Sequence, residues 1–181
     1  VHYSLEPTPG RHTLGAHLYY EMFQLWKRVK GIPKPLPLFI KNSKFRVDGE
    51  KARMSAACSK FMSLANGAGM CMFGLFVGIK RVPTFDWLNA ATGWNRTPEE
   101  YMTVGERIQT LKQAFNVKHG VEPKNNFISS RALGTIPQAE GANKGRSVDI
   151  EKLASGYWEQ FGWDAATGKP KEETLRKLEI Q

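Results

Sequence analysis

With 181 residues, 41% of them hydrophobic and 24% charged, the chain can build one substantial core, burying about 70% of the surface of its unfolded form. No apolar run approaches the roughly 20 residues of a membrane span, and no signal peptide is visible. Two cysteines, Cys58 and Cys71, argue against a disulfide framework and for reduced thiols in a cytoplasmic compartment. The formal net charge is +9, and most of it lies between Lys27 and Arg53, where nine Lys or Arg face two acids, Asp48 and Glu50. Two readings of that segment stay open: a solvated loop with snorkelling lysines, or an anion-facing surface for an acidic redox partner, a cofactor phosphate or a phosphorylated substrate. Nucleic acid is disfavoured, because only Phe39 and Phe45 could stack on bases there and no binding motif accompanies them. The chain begins Val1-His2-Tyr3 without Met, so a piece of a longer protein is expected.

In chain order, Leu5 to Gly10 holds two prolines and a glycine and reads as a turn presenting Arg11 and His12. Leu14, Leu18, Met22, Leu25 and Val29 then recur at helical spacing, which predicts an amphipathic helix over 13–29, ended by Gly31 and Pro33. Pro33, Pro35 and Pro37 predict an extended connector. Asp48 caps the next predicted helix, whose buried stripe is Met54, Ala57, Phe61 and Leu64 with Cys58 packed beside it, and which stops at Asn66-Gly67. Phe73 to Ile79 is an apolar run with two glycines, a short strand or a buried loop. A short helix follows from Pro83-Thr84 to Gly93. Thr97-Pro98-Glu99-Glu100 is a capping box with Pro at the first helical position, opening a helix with the stripe Tyr101, Val104, Ile108, Leu111 and Phe115. Residues 116–147 are irregular. Asp149 caps a helix ending at Gly162, and a last helix runs over 171–178. Six helices and almost no credible strand make an all-α, irregular multihelical fold.

The stretch Asn66-Gly-Ala-Gly-Met-Cys71 joins the end of a predicted helix to the apolar run. Its glycines allow close approach of the backbone to a bulky neighbour, and Cys71 is a soft donor of the kind iron–sulfur clusters select. Spacing alone does not separate that role from the commoner one of a small buried hydrophobe.

Asn66-Gly-Ala-Gly-Met-Cys71 resembles the Asp-x-x-Gly-Leu-Cys element of the tungsten-containing aldehyde:ferredoxin oxidoreductase family. In register behind it come Leu-Asn-Ala-Ala-Thr-Gly-Trp (88–94), Gly-Glu-Arg-Ile (105–108), Phe-Asn-Val-Lys-His-Gly (115–120), Gly-Trp-Asp (162–164) and Gly-Lys-Pro (168–170). The resemblance runs from about Pro9 to the last residue. It implies that residues 1–181 are the carboxy-terminal helical domain of a larger oxidoreductase whose amino-terminal cofactor-binding part lies outside this chain. The implied enzyme oxidises an aldehyde to a carboxylate with tungsten, or molybdenum, held by two pterins, and passes electrons through a [4Fe–4S] cluster to ferredoxin or another acidic redox partner. Magnesium is an optional companion of the pterins, and a homo-oligomer is a further option. In these terms Cys71 is a cluster ligand, and Asn66, Gly69 and Met70 contact a pterin.

Thr8-Pro9-Gly10-Arg11-His12 resembles the family segment carrying an active-site histidine. An insertion between His12 and Cys71 must then be assumed, so His17 stays as a rival. The sequence also departs from the family at Asn66, where the pattern has Asp: Asn keeps one acceptor oxygen and loses the charge. The alternative for Asn66 is a helix C-cap. Two other functions stay open, an aromatic-ring reductase of the same family acting on a coenzyme A thioester, and a non-catalytic basic helical binding or scaffold module.

Overall fold

Helix is the repetitive structure of the chain. The computed structural model describes residues 1–181 except 12, 16, 38–42, 78, 127 and 181. Among the described residues the α-helical segments are α1 (His2–Leu5), α2 (His17–Met22), α3 (Leu25–Arg28), α4 (Gly49–Gly67), α5 (Met72–Phe76), α6 (Thr84–Thr92), α7 (Pro98–Lys118), α8 (Ser130–Leu133), α9 (Ile150–Glu159) and α10 (Glu172–Lys177). The described residues form no sheet, only the isolated bridges Gln138–Lys144 and Trp163–Pro170. The all-α expectation holds, and no helix among the described residues is long and apolar enough to cross a membrane.

The molecule is organised around α4. Asp48 accepts a hydrogen bond from the Lys51 amide at 2.9 Å and starts the helix. Its buried side is broader than the predicted stripe: Met54, Phe61, Met62, Leu64 and Cys58 lie inside, and so do Ser55, Ser59 and Ser63. Helices on several sides explain this. α4 packs against α7, α9 and α2, and two apolar clusters meet along it. One gathers Tyr20, Leu25, Phe61, Phe76, Phe85 and Tyr101. The other gathers Leu5, Ala56, Tyr157, Trp158, Phe161 and Trp163.

Among the described residues ten helical segments stand where six were expected, α1 and α8 being short single turns without a longer apolar period, and two of the predicted elements differ in kind. The helix expected over 13–29 is two short helices, broken where Gln24 takes a left-handed conformation at φ 51°. Tyr20 and Leu25 are both fully buried, yet five residues at 3.6 per turn would place them about 140° apart on one unbroken helix. The break turns both toward the core. The first part of the run from Phe73 to Ile79 is helical rather than strand or loop, because Met72–Phe76 forms α5, burying Leu75 and Phe76.

α7 opens with the capping box as read: the Thr97 hydroxyl accepts from the Glu100 amide, and the Glu100 carboxylate accepts from the Thr97 amide at 2.7 Å. The buried face is Tyr101, Gly105, Gln109, Thr110 and Gln113, so only Tyr101 of the predicted stripe is fully buried; Val104 and Ile108 are half-buried, and Leu111 and Phe115 are 54% and 60% exposed. Gly105 sets this rotation, because a Cβ there would stand 2.0 Å from the Lys60 carbonyl oxygen on α4. The polar residues beside it hold the carboxy-terminal segment: Trp163 Nε1 donates to Thr110 Oγ1 at 3.2 Å, and Gln113 Nε2 donates to the Gly168 carbonyl at 2.8 Å. Gly105→Ala must push α4 and α7 apart, and a cost of about 1–3 kcal/mol is expected from overpacking, read as a lower denaturant midpoint with an unchanged slope.

Among its described residues the basic 27–53 segment does not form one surface. Arg28 and Lys30 turn toward the start of α6, whereas Arg46 pairs with Asp48 and Glu50, and Lys51 is buried with Nζ donating to the Lys44 carbonyl. Lys41 lies outside the described residues.

Candidate site at the junction of α4 and α5

α4 ends in a closed turn. Gly69 takes φ +70°, the Met70 amide donates to the Ala65 carbonyl at 2.9 Å, and the Gly69 amide donates to the Asn66 carbonyl at 3.0 Å. This paired arrangement is the Schellman motif, which needs a left-handed residue where Gly is favoured. Ala68 and Gly69 therefore make the cap. The Asn66 side chain takes no part in it, is exposed, and has no hydrogen-bond partner among the described residues. Met70, half-buried, packs back on the first apolar cluster and fixes the direction in which the chain leaves.

Cys71 follows as the residue before α5, and the Leu75 amide bonds to its carbonyl at 3.1 Å. The two thiols sit in opposite surroundings. Cys71 is exposed and Cys58 is fully buried, where burial, and then the Glu6 carboxylate, push the Cys58 thiol well above its ordinary pKa. An exposed sulfur on a turn can reach a ligand, and a sealed one cannot. The junction suits a bulky inorganic neighbour: at Gly69 a Cβ would meet nothing within 4 Å, and Gly74 would contact only the Cys71 Cβ, at 3.8 Å. No group of three or more His, Cys, Asp or Glu able to hold a metal occurs among the described residues. A four-thiolate cluster needs more thiols than Cys71 alone. Asn66, Gly69, Met70 and Cys71 lie together on one turn, as their spacing predicts.

His12 lies outside the described residues. Its rival His17 is on α2, buried, with Nδ1 3.4 Å from the Ser55 hydroxyl of α4. From Ser55 to Asn66 is about 16 Å along a helix axis rising 1.5 Å per residue, so His17 is not part of the Cys71 turn. Burial first, then the neighbouring His2 and Lys51, lowers its pKa from 6.5 to about 3.

The sequence reading passed over the polar network around His17. His2 Nδ1 lies 2.9 Å from Glu6 Oε1, the Ser59 hydroxyl donates to the same oxygen, and the Tyr157 hydroxyl donates to Ser59 Oγ at 2.9 Å. Glu6 and Ser59 are buried, and Gly15 gives the His2 ring its place, since a Cβ there would fall 1.7 Å from His2 Nδ1. The network ties α1 to α4 and α9. The His-x-x-x-Glu spacing of His2 and Glu6 was its visible signal.

Comparison with known proteins places this geometry in context. The sequence model described as aldehyde ferredoxin oxidoreductase, domains 2 and 3, matches residues 1–180. The tungsten-containing aldehyde ferredoxin oxidoreductase of Pyrococcus furiosus is 34% identical over 134 residues, which is 74% of this chain and 22% of that protein. The proteins of the same name from Pyrococcus abyssi and Thermococcus kodakarensis are 33% and 32% identical over 75% and 70% of this chain. The chain thus spans about a fifth of the length of the curated relatives it matches, 21–22% of each. A match over nearly every residue, joined to the quoted words of the sequence, makes this chain a member of the aldehyde ferredoxin oxidoreductase family, a family of oxidoreductases.

Proposed function

We propose that residues 1–181 are the carboxy-terminal helical part of an oxidoreductase that converts an aldehyde to its carboxylate and delivers the electrons to ferredoxin. The observation that carries this reading is the exposed Cys71 on a glycine-capped turn, in a chain that matches an oxidoreductase family throughout. Oxidation of an aldehyde with water to a carboxylate releases two electrons and three protons. When bound, a tungsten (or molybdenum) bispterin would supply the two-electron step and a [4Fe–4S] cluster would pass the electrons on singly.

This chain's share is to hold and orient. Cys71 supplies one of the four thiolates of the cluster, fixed by the hydrogen bond at its carbonyl and by the cap before it. Asn66 presents its side-chain oxygen to the amino and N–H donors of a pterin ring, while Gly69 and Met70 approach by backbone. His12 takes up and releases a proton near neutral pH, the task for which imidazole is suited. The exposed, unengaged amide of Asn66 supports the pterin role over a capping role, because the cap is made without it.

The full-length protein should contain tungsten and iron and reduce ferredoxin in the presence of aldehyde; a preparation with neither metal overturns the reading. Asn66→Asp should keep the pterin and shift the redox midpoint, since it restores a charge-assisted acceptor worth about 1 kcal/mol or more. Asn66→Leu should lose pterin and tungsten while the fold, followed by circular dichroism, is unchanged. Full tungsten and pterin in Asn66→Leu would remove the residue from the site.

A further inference from the structure

A second concave site lies away from the Cys71 turn. Arg28 and Lys30 from the end of α3, Arg81 from the segment before α6, and Arg96 from the segment after it line one cleft of about 340 Å³, in which Asp86 is the single acid among the described lining residues. Cations from three separate stretches repel one another unless something anionic sits among them.

The walls of the cleft are fixed. The Val82 amide donates to the Arg28 carbonyl at 2.9 Å. Asn89 clamps Arg96 in both directions, accepting from its amide and donating to its carbonyl at 3.0 Å each, and also accepts from the Tyr101 hydroxyl at 2.7 Å. Gly31, at φ +89°, lets the α3 end close on α7, since a Cβ there would stand 2.6 Å from Pro98. Arg28 Nη1 donates to the Phe76 carbonyl at 2.5 Å, and the Arg96 guanidinium lies 4.2 Å from the Trp94 ring centre. Arg81 and Asp86 are 4.0 Å apart and largely exposed, a weak pair that leaves Arg81 available.

An independent observation points into the same place. Thr84, the first residue of α6, lines this cleft, is 1% exposed, and its hydroxyl has no hydrogen-bond partner among the described residues. A buried hydroxyl without a partner is costly. The nine-residue α6 also starts at Pro83 without a side-chain cap, and the one acid of its first turn, Asp86, is exposed and weakly paired with Arg81, so its amino-terminal amides still favour an anion. An oxyanion would satisfy all three features together.

We propose that this cleft binds the phosphate of a phosphorylated small molecule, held by Lys30, Arg81 and Arg96 and accepting a hydrogen bond from the Thr84 hydroxyl. Phosphate is favoured over carboxylate because a phosphate ester carries close to two charges and three acceptor oxygens, matching several donors from different directions, whereas a carboxylate offers one charge and two oxygens. The volume, about 340 Å³, is at the small end of small-molecule sites and suits a phosphate group with a little beyond it. The phosphate could belong to a diffusible ester or to a resident cofactor, and the experiment separates them.

The full-length protein as isolated is titrated calorimetrically with inorganic phosphate and with pyrophosphate at low ionic strength. If the ligand is diffusible, both bind, and Lys30→Gln/Arg81→Gln weakens binding tenfold or more. Both residues are exposed, so the double variant keeps its fold. Thr84→Val keeps the side-chain shape and should weaken binding several-fold with no loss of thermal stability. Lys118→Gln/Lys171→Gln, which removes equal charge from exposed positions elsewhere, should leave affinity unchanged. If the phosphate is a resident cofactor's, the isolated protein takes up no added phosphate, and Lys30→Gln/Arg81→Gln loses bound organic phosphate. The site is overturned if wild type binds no added phosphate and the double variant retains all its organic phosphate, or if the Lys118/Lys171 control weakens binding as much as the cleft variant.

Discussion

Cys71→Ala in the complete enzyme is expected to yield a folded protein with depleted iron and without the native reduced-cluster resonance, and turnover with ferredoxin should fall on the order of tenfold or more. The physical ground is the contrast between the two thiols. Cys71 is exposed, so its truncation should change stability by no more than about 0.5 kcal/mol. A cluster left with three of its four thiolates is labile. Cys58→Ala should do the reverse: the residue is fully buried in the apolar cluster that holds Tyr20 and Phe61, so removal costs about 1 kcal/mol of packing and leaves iron untouched. Iron analysis, low-temperature resonance and a urea denaturation curve on each variant separate the two roles. Full iron with a native resonance in Cys71→Ala would sink the ligand assignment and, with it, the reading of the turn as a cluster site.

What could be read from the sequence was local. Asp48, Thr97 and Asp149 each cap the helix they were expected to cap, because the side-chain oxygen needs only the amide three residues on. Gly93 and Gly162 terminate helices at positive φ for the same short-range reason. Where tertiary packing decides, the reading failed. The apolar period of α7 identifies Leu111 and Phe115 as one greasy face, yet α4 meets the face containing Gly105, since only there can a backbone carbonyl approach. The break at Gln24 likewise answers to the joint burial of Tyr20 and Leu25, which no local rule contains.

The words that suggested the family turn out to be fasteners of the fold. Gly-Glu-Arg-Ile supplies the crossing at Gly105, the Glu106–Lys60 ion pair at 2.6 Å and the Arg107 bond to the Leu178 carbonyl at 2.6 Å. Asn89 of Leu-Asn-Ala-Ala-Thr-Gly-Trp pins Arg96 and Tyr101, and Asn116 of Phe-Asn-Val-Lys-His-Gly donates to the Pro7 carbonyl at 2.6 Å. The bonds from Glu106, Arg107 and Asn116 join segments 46, 71 and 109 positions apart, whereas those of Asn89 close a local loop of 7 and 12 positions. The candidate site, by contrast, was legible because it is contiguous: four residues on one turn need no tertiary information to be brought together. The basic cleft at α6 was not, for its cations come from three stretches and only the fold assembles them.

Acidification is expected to destabilise the protein well above the range in which carboxylates titrate, and His17 is the cause. Its pKa is lowered from 6.5 to about 3, first by burial and then by His2 and Lys51. In the folded state the ring therefore stays neutral at pH 5, whereas in the unfolded state it takes a proton. The unfolded chain binds more protons throughout the window between about 6.5 and 3, so stability is complete above pH 6.5 and falls as pH drops through that window. The slope approaches about 1.4 kcal/mol per pH unit, and the whole interval amounts to roughly 4–5 kcal/mol, a large share of an ordinary domain's stability. Between pH 6 and 4.5 the exposed carboxylates contribute little, and that is where the measurement belongs. Urea midpoints of the full-length protein should decline steeply over this range. Those of His17→Gln, which keeps a hydrogen-bonding group beside Ser55 but cannot titrate, should be nearly flat. Equal slopes for the two proteins would show that His17 is solvated in solution and that the neutral, buried imidazole between α2 and α4 is not its working state.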